Sequence, residues 1–505
     1  MDTKRRAKQR VVVIGSGLGG LSCGLILSRN GYQVTVLEQG TQVGGCLQCF
    51  SRHGVKFETG MHFIGSADEG QVLNRLLRYL NVLDDISLSR LDPTGYDVIS
   101  LAGQQFRYAN GRQSFVDTLA ADFPGQRQSL ERYCQLVEQV AQASSLHSLR
   151  KADSGTAPLT MEFQLRSMND VLDEYISDPL LRSVLAGNLP LYAAERNKTP
   201  FSTLAFVSEF YNQSAFRVVG GSEKIGTSLA SSIKAGGGDV LTQKRVTTIC
   251  CDDKRAVGVV TEDETFYPAD IVIAAIHPAR LIEMCSSPLL RPAYRRRIQM
   301  LPETVGGFSV YLRFKPGTMP YMNHNFYSYR NNTPWGCEIY TDEQWPKGYL
   351  YMHFCNSDKQ QWAESGVILS YMNYSEVAPW QGTPIGRRGS HYEQFKHDHA
   401  ERLISVVEQD FPGFRQSIEG YATSTPLTYR DYTGTEGGSM YGIAKDISLG
   451  PASRVHHRTK IPNLLLAGQN INSHGILGVL VGTVVTCSEL LTSEHIFREI
   501  VKANI

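Results

Sequence analysis

The sequence predicts an α/β fold in which a domain built on a parallel sheet is interleaved with a second, α+β domain. Three observations lead to this prediction. A buried-strand pattern at residues 11–14 is followed by closely spaced glycines, a helical stretch and a second strand. A similar strand–glycine–helix pattern recurs at residues 461–491. Between these ends, residues 305–313 and 349–356 have the pattern of strands in another sheet, and 505 residues suffice for two domains.

The N-terminal unit contains every element of a dinucleotide-binding turn in the expected order. Gly15 permits a tight turn out of the strand, Gly17 lets a pyrophosphate approach the backbone, and Gly20 lets the helix pack closely on the sheet. Glu38 follows the second strand at the spacing of the acid that holds the ribose hydroxyls, and it would repel a 2′-phosphate. The unit predicts a Rossmann-like domain that binds an adenine dinucleotide other than NADP. A glycine-rich turn in an ordinary parallel sheet is the alternative.

The residues after this acid favour FAD over NAD. A second glycine pair, Gly44 and Gly45, follows directly, where an NAD-binding domain would proceed to its next helix. Residues 57–62, with the sequence FETGMH, come next. The pattern resembles flavoproteins of the amine-oxidase type. In that class the glycine pair lets the backbone pass under the flavin, and a segment like 57–62 runs beside the isoalloxazine ring.

The C-terminal region supplies a second half of such a site. The apolar strand expected at residues 461–467 ends at Gly468, and a polar turn leads into a helix of small residues that reaches residue 491. A helix N-terminus offers unpaired N–H groups to a negatively charged ligand. In the resembling flavoproteins this helix end sits at the flavin pyrimidine. The segment at residues 270–275 is expected to return to the same buried sheet.

The resemblance is specific to the phytoene desaturase-related flavoproteins, which include carotenoid desaturases, carotenoid isomerases and retinol saturases, and it covers nearly the whole chain. Residues 425–426 and 437–442 match the C-terminal pattern of that family. Residues 44–46 and 59–65 are most similar to the retinol saturase and isomerase branch. Gln469 stands after Gly468, where the family often has an acid. A hydrogen bond from this position to the ribityl chain is therefore left open, whereas FAD binding is still expected.

The resemblance implies a set of FAD contacts and a division of the chain. The FAD-binding residues would be Gly15, Gly17, Leu18, Gly20, Glu38, Gln39, Gly44, Gly45, Met61, His62, Val246, Gly468, Gln469, Gly478 and Val479. After a basic tail at residues 1–10, the FAD-binding domain would comprise residues 11–100, 215–290 and 455–505. The substrate-binding domain would comprise residues 101–214 and 291–454.

The expected chemistry follows from the cofactor. A flavin gives or takes a hydride at N5, and the protein orients a substrate carbon against it. Reduction of a C=C bond also needs a proton donor, for which His62, Tyr441 and the less favoured Glu58 are the candidates. His62 would otherwise contact flavin only through its backbone, and Tyr441 would otherwise only pack. No second dinucleotide fingerprint is present, so reduced flavin would be regenerated by transient NAD(P)H or by a separate electron donor.

The resemblance implies a long apolar polyene or isoprenoid as substrate. Three hypotheses follow: a saturase most like retinol saturase, a carotenoid desaturase or cis–trans isomerase, and a non-catalytic prenyl carrier on a related fold. The intact glycine and acid set argues against the carrier. One stretch is rich in aromatic residues and is either a lining for such a ligand or a packed core. It contains Tyr321, Phe326, Tyr327, Tyr329, Trp335 and Tyr340.

Composition and short motifs narrow the partners. A net charge of +1 gives no indication of nucleic acid. The basic residues 1–10 form a solvated tail or touch an anionic membrane, and no apolar run resembles a signal peptide or a spanning helix. The sequence thus predicts a cytoplasmic protein, at most peripheral to a membrane and not secreted. Cys46 and Cys49 are either a redox pair or two thiols spaced by chance, and no metal site is expected at residues 397–399 or 456–457.

Overall fold

The computed structural model describes residues 8–144, 149, 157–355 and 361–505, so most of the basic tail expected at residues 1–10 lies outside the described residues. The α-helices within these ranges are Leu18–Arg29, Val72–Tyr79, Arg112–Asp122, Arg127–Gln142, Ala157–Leu165, Met168–Tyr175, Pro179–Leu185, Phe201–Gln213, Glu223–Ala235, Pro278–Met284, Pro292–Gln299, Tyr374–Val377, Ser390–Asp410, Phe414–Ser417, Pro426–Thr433, Gly475–Leu491 and Ser493–Lys502.

A five-stranded parallel sheet forms the centre of the first domain. Its strands, in spatial order, are Asp239–Leu241, Gln33–Leu37, Arg10–Ile14, Ile271–Ala274 and Leu464–Leu466. Helix Leu18–Arg29 packs beside Glu223–Ala235 and Gly475–Leu491. The strands come from three separate stretches of the chain, and this arrangement confirms the predicted α/β class. The last strand is shorter than the expected 461–467, since Leu464 N donates to Ile461 O at 3.1 Å and the residues between them form a turn.

A seven-stranded mixed sheet forms the second domain. Its strands, in spatial order, are Ile418–Ser424, Gly306–Phe314, Ser365–Met372, Gly348–Phe354, Asn325–Tyr329, Asp97–Leu101 and Gln104–Tyr108. Only the pair Asn325–Tyr329 and Asp97–Leu101 is parallel. Strand Asp97–Leu101 crosses the domain limit expected at residue 100, since both of its neighbours belong to this second sheet. The expected limit at residue 100 therefore lies inside a strand of the second sheet.

Three smaller sheets complete the fold. They are the hairpin Cys49–Arg52 and Val55–Glu58; the set Ile64–Gly65, Ala215–Val219 and Ser87–Arg90; and the set Val246–Cys251, Ala256–Thr261 and Phe266–Pro268. The first two bracket residues 57–62, so this segment is fixed at both ends by strand pairing.

In the described part of the chain, no single helix is both long and apolar enough to cross a membrane. Helices Gly475–Leu491 and Ser493–Lys502 reach that length and hydropathy only as a pair, and they are bent by 120° at the break between them.

Candidate functional site

The glycines of the N-terminal turn have different structural roles. A Cβ on Gly20 would lie 2.0 Å from the carbonyl oxygen of Gly15 and 3.0 Å from Ala275 Cβ, so this position admits no side chain. Gly15 itself has a φ of +94°, which favours glycine. Gly17, by contrast, has a φ of −63° and precedes the helix beginning at Leu18, and a Cβ there would meet nothing within 4 Å. The space in front of this helix N-terminus is therefore open, as a pyrophosphate would require.

The second glycine pair packs directly on this turn. Gly44 and Gly45 have φ values of +114° and +57°, and Gly44 N donates to Ser16 O at 2.8 Å. A Cβ on Gly45 would lie 3.1 Å from Gly17 Cα, and one on Gly226 would lie 3.1 Å from Gly44 Cα. Bulk at any of these positions would push the turn and the pair apart, which explains why this stretch is glycine.

Glu38 is buried and held by the turn it follows. One carboxylate oxygen accepts hydrogen bonds from Ser16 N at 2.9 Å and Ser16 Oγ at 2.6 Å, and the other accepts one from Gly40 N at 2.7 Å. The carboxylate still has acceptor capacity for a ribose hydroxyl. Lys244 N donates to Glu38 O at 2.7 Å, which places Val246, buried at the start of its strand, next to the acid. The sequence indicated the acid but not its anchor, Ser16.

The C-terminal turn is built against the first helix. Gly468 has a φ of +103° and faces open space, while a Cβ on Gly19 would lie 2.9 Å from Gly468 N. A Cβ on Gly478 would lie 2.7 Å from Ser473 C, so this helical position also excludes a side chain. His474 is the N-cap of helix Gly475–Leu491. The structure thus brings the two glycine turns together at the carboxyl edge of the parallel sheet.

The remaining predicted cofactor contacts fall around these turns. Leu18 and Val479 are buried, at the first turns of the two facing helices. Gln39 is exposed beyond the acid, whereas Met61 and Gln469 are partly buried. The open spaces at Gly17 and Gly468 and the acid between them fit an extended FAD. The individual contacts stay predictions.

An acid–imidazole pair occupies the segment expected beside the flavin. Glu58 Oε2 lies 3.8 Å from His62 Nδ1, and the two side chains are 8% and 12% exposed. Glu58 Oε1 accepts a hydrogen bond from Ser222 N at 2.9 Å. Neither Glu58 Oε2 nor His62 Nδ1 has a hydrogen-bond partner within the described residues. A small movement would bring these two atoms within hydrogen-bond distance of each other.

A buried polar network supports this segment from behind. Arg217 donates from Nη1 to His62 O at 3.1 Å and from Nη2 to Asn325 Oδ1 at 3.0 Å, and its guanidinium lies 4.8 Å from the Phe354 ring centroid. Asn325 Nδ2 in turn donates to Asp97 Oδ1 at 2.8 Å. Burial raises the pKa of Asp97 to about 7. Sequence reasoning missed this network, for which the only signal was an arginine within the apolar strand Ala215–Val219.

Tyr441, the other proposed proton donor, is engaged elsewhere. Its hydroxyl donates to Pro190 O at 2.8 Å, and its ring lies 4.6 Å from that of His474. Burial raises the pKa of Tyr441, and the nearby Cys46 thiol adds to the effect. Cys46 in turn lies under Gly60, where a Cβ would meet Cys46 Cβ at 3.1 Å. Tyr441 is thus close to the segment 57–62 but has its hydroxyl turned away to a carbonyl.

The two thiols of the Cys-x-x-Cys sequence point in different directions. Cys49 Sγ lies 3.7 Å from Ser222 Oγ, whereas Cys46 lies near Tyr441. Burial raises the pKa of both thiols, which makes neither a reactive thiolate. This favours chance spacing over a redox pair.

Small cavities lie in the substrate-binding part. One, of about 10 Å³, has room for about one water molecule. Its mostly apolar walls include Pro190, Tyr329 and Tyr371, and it adjoins the Tyr441 hydroxyl through Pro190. Tyr329 comes from the predicted aromatic stretch, while Phe326 of the same stretch packs in the core against Phe411. Another cavity, of about 30 Å³, has walls that include Asn188 and Glu209. The aromatic stretch therefore serves both as lining and as core.

Residues 8–144, 149, 157–355 and 361–505 contain no group of three or more His, Cys, Asp or Glu residues that could hold a metal ion. His397 instead contacts the Tyr421 hydroxyl at 2.8 Å, and His399 contacts Phe395 O at 2.9 Å. The two histidines of residues 397–399 thus have separate partners.

Known proteins with similar sequences and structures point the same way. The family model described as flavin containing amine oxidoreductase matches residues 18–378. The chain is 28% identical to the all-trans-retinol 13,14-reductase of Rattus norvegicus, over 98% of this chain and 87% of that protein. It is 23% identical to prolycopene isomerase 2 of an Oncidium hybrid cultivar, over 97% and 84% of the two chains. These matches confirm the resemblance seen in residues 44–46 and 59–65.

A solved structure shows the same fold. An oxidoreductase from Methanosarcina mazei superposes with a TM-score of 0.66 at 17% identity, over 95% of this chain and 100% of that one. At this identity the likeness concerns the fold alone.

Proposed function

Because the chain belongs to the family of flavin-containing amine oxidoreductases, we propose that it is an FAD-dependent oxidoreductase that reduces a C=C bond of a long apolar isoprenoid. The observation that carries this proposal is the near full-length similarity to an all-trans-retinol 13,14-reductase. The open space at Gly17 and at Gly468 supports FAD as the cofactor. It also argues against a prenyl carrier, which would need no such crevice.

Different residues of the chain would bind the cofactor and hold the proton. Bound FAD would supply hydride transfer at N5. The N-terminus of helix Leu18–Arg29 and the bare backbone at Gly17 would hold the pyrophosphate, and Glu38 the ribose. His62 would hold the proton destined for the substrate carbon, with the Glu58 carboxyl group 3.8 Å away.

The mostly apolar walls beside Pro190 would move apart to admit part of the substrate chain and would then exclude water from it. Tyr441 would close one side of this cavity through its bond to the Pro190 carbonyl rather than donate a proton. Such a substrate resides in lipid, so we place the protein in the cytoplasm at a membrane surface. Electrons would come from transient NAD(P)H or from a separate donor.

A redox-neutral cis–trans isomerase is the second candidate, favoured by the similarity to prolycopene isomerase. The same flavin site would serve both reactions, and direction of hydride flow would separate them. A desaturase would use the site in the opposite direction.

One experiment tests the proposal and its alternative together. The purified protein is scanned by absorption before and after anaerobic dithionite, and the reduced protein is then given all-trans-retinol or prolycopene. Reoxidation of the flavin with loss of one double bond supports reduction, while isomerised product with no net reoxidation supports the second candidate. A colourless protein that takes up no added FAD would exclude both.

A further inference from the structure

Arg217 is a deeply buried cation whose contacts are all with neutral groups. Among the lysines and arginines of the described residues it is the least exposed, at 5%. It lies on strand Ala215–Val219, where every other residue is apolar. Long charged side chains are rarely buried unless they are paired. The guanidinium of Arg217 instead contacts two backbone carbonyls, one amide oxygen and one aromatic ring, which belong to His62, His324, Asn325 and Phe354.

The stretch of chain that Arg217 contacts has little other support. Residues 60–63 lie between strands Val55–Glu58 and Ile64–Gly65 and belong to neither. Within the described residues, the one hydrogen bond to the backbone of residues 60–63 comes from Arg217 Nη1, which donates to His62 O at 3.1 Å. The position of the His62 backbone therefore depends on Arg217.

The same guanidinium also adjoins the surroundings of the His62 imidazole. The guanidinium carbon of Arg217 lies 4.8 Å from the centroid of the Phe354 ring, and the centroid of the His62 ring lies 6.0 Å from that same point. Arg217 thus contacts both the carbonyl of His62 and the aromatic ring beside its imidazole. Loss of the guanidinium would free both, so the imidazole would no longer be held in one orientation.

Arg217 also connects this stretch to the sheet of the substrate-binding part. Its Nη2 donates to Asn325 Oδ1 at 3.0 Å, and Asn325 Nδ2 donates to Asp97 Oδ1 at 2.8 Å. Asn325 and Asp97 are paired residues on adjacent strands of the seven-stranded sheet. An arginine suits this connection because its planar group presents several donors in a fixed geometry, whereas a lysine has a single ammonium group. One side chain thereby sets the position of His62 relative to the sheet.

We propose that Arg217 is a positioning residue for proton delivery, which holds His62 in place against the substrate-binding sheet. The proposal rests on the proposed function, in which His62 holds the proton destined for the substrate carbon. It adds a residue that would contact neither the substrate nor the FAD. Because Arg217 would act through His62, its effect on the reaction should disappear when the imidazole is absent.

A double-mutant cycle tests this dependence on His62. The FAD-loaded protein is reduced anaerobically with one equivalent of dithionite and mixed with all-trans-retinol or prolycopene, whichever reoxidises the wild-type flavin. The rate of reoxidation is measured per bound flavin. Arg217→Met should lower this rate about tenfold or more, because a displaced catalytic group reacts slowly. In the His62→Asn background the same change should alter the rate less than about twofold, since residues that act through one another are not additive.

Arg217→Lys keeps the charge and serves as the conservative variant. It should recover part of the rate lost in Arg217→Met, because an ammonium group can still donate to one of the two oxygens. If Arg217→Met does not fold, the cycle is made with Arg217→Lys. We then expect a rate about threefold lower with His62 present and no further loss in His62→Asn.

Hydrogen exchange, followed by mass spectrometry, gives a second measurement that needs no turnover. Arg217→Met should speed exchange of the amides at residues 60–63 about fivefold or more and leave the parallel sheet unchanged. Arg90→Met is the matched control, because Arg90 lies on the adjacent strand of the same small sheet, stacks on Phe216 and pairs with Asp68. It should leave both the rate of reoxidation and the exchange at residues 60–63 near those of the wild type.

The outcomes separate this inference from the proposed function. Equal losses of rate with and without His62 would overturn the role of Arg217, as would unchanged exchange at residues 60–63. Weaker FAD binding in Arg217→Lys would assign the arginine to the cofactor and overturn it too. A wild-type protein that binds FAD but is reoxidised by neither polyene would refute the proposed function, and this inference with it. Additive losses in an active protein would refute the inference alone.

Discussion

Gly19, in the first helix, and Gly468, in the turn after the last strand of the parallel sheet, lie back to back. A Cβ on Gly19 would come within 2.9 Å of Gly468 N and 3.0 Å of Gly468 Cα. The two ends of the chain thus build the crevice against each other, with no room for a side chain between them. Other glycines of the same crevice face open space instead, so substitutions can separate packing from ligand binding.

Replacing Gly17 with leucine should remove FAD without unfolding the protein. The backbone there has ordinary angles for an L-residue, and the new side chain would enter open space where the pyrophosphate is expected. We expect at least a hundredfold loss of FAD affinity with a melting temperature of the apo-protein near that of the parent. Flavin absorbance after gel filtration measures the bound FAD, and thermal unfolding measures the melting temperature of the apo-protein. A variant that keeps its full flavin content would refute the placement of the cofactor.

Replacing Gly20 with alanine should act on the fold first. The new Cβ would lie 2.0 Å from Gly15 O, a backbone atom that cannot yield without distorting the turn. We expect the free energy of unfolding to fall by about 2 kcal/mol or more, in the range of overpacked cores. Urea unfolding of the apo-protein measures it. Gly125→Ala is the control, because a Cβ there meets nothing within 4 Å.

The carboxyl of Asp97 should make stability depend on pH. Its pKa is raised from 3.8 to about 7 in the folded protein, so the folded state keeps a proton that the unfolded chain releases. The retained proton contributes fully to the free energy of unfolding below about pH 4. This contribution falls as the pH rises towards 7, with a slope of at most about 1.4 kcal/mol per pH unit. Asp97→Asn should flatten that slope in urea unfolding at pH 4–8, and the exposed Asp239→Asn should not. An unchanged slope in Asp97→Asn would show that Asp97 ionises normally.

Replacing His62 with asparagine should lower the rate of C=C reduction and leave the flavin bound. The imidazole lies 3.8 Å from the Glu58 carboxyl group and can hold a proton in the segment 57–62. We expect a 10²- to 10⁴-fold lower kcat, as for loss of a general acid, with an unchanged absorption spectrum. Glu58→Gln should lower kcat less. If Tyr441→Phe were the more damaging change, the proton would come from the other side of the site.

Local patterns predicted well those features that short stretches of chain determine. The strands Arg10–Ile14 and Gly306–Phe314 lie within one residue of the expected bounds 11–14 and 305–313, because apolar periodicity and flanking turns act within a few residues. The glycine turns were likewise visible from spacing. The links from Arg217 to His62 and from Asn325 to Asp97 were not, because each joins residues more than 100 positions apart.

Two further differences have the same origin. The sequence offered Tyr441 as a proton donor or as a packing residue, and it gave no sign that the hydroxyl donates to Pro190 O, 251 positions earlier. The strand Asp97–Leu101 crosses the expected domain limit because its pairing with Asn325–Tyr329 has no signature near residue 100. The composition of a segment can show that it forms a strand, but it does not specify which other strands pair with it.

The order of strands in the parallel sheet has a consequence for biosynthesis. Strand Leu464–Leu466 occupies one edge beside Ile271–Ala274, and helix Gly475–Leu491 packs on the first helix of the chain. A ribosome delivers these pieces after the whole of the inserted substrate-binding part has emerged. The parallel sheet therefore lacks an edge strand, and the crevice lacks one wall, until residues 464–491 have been synthesised. A product that terminates before these residues has no C-terminal half of the crevice with which to hold FAD.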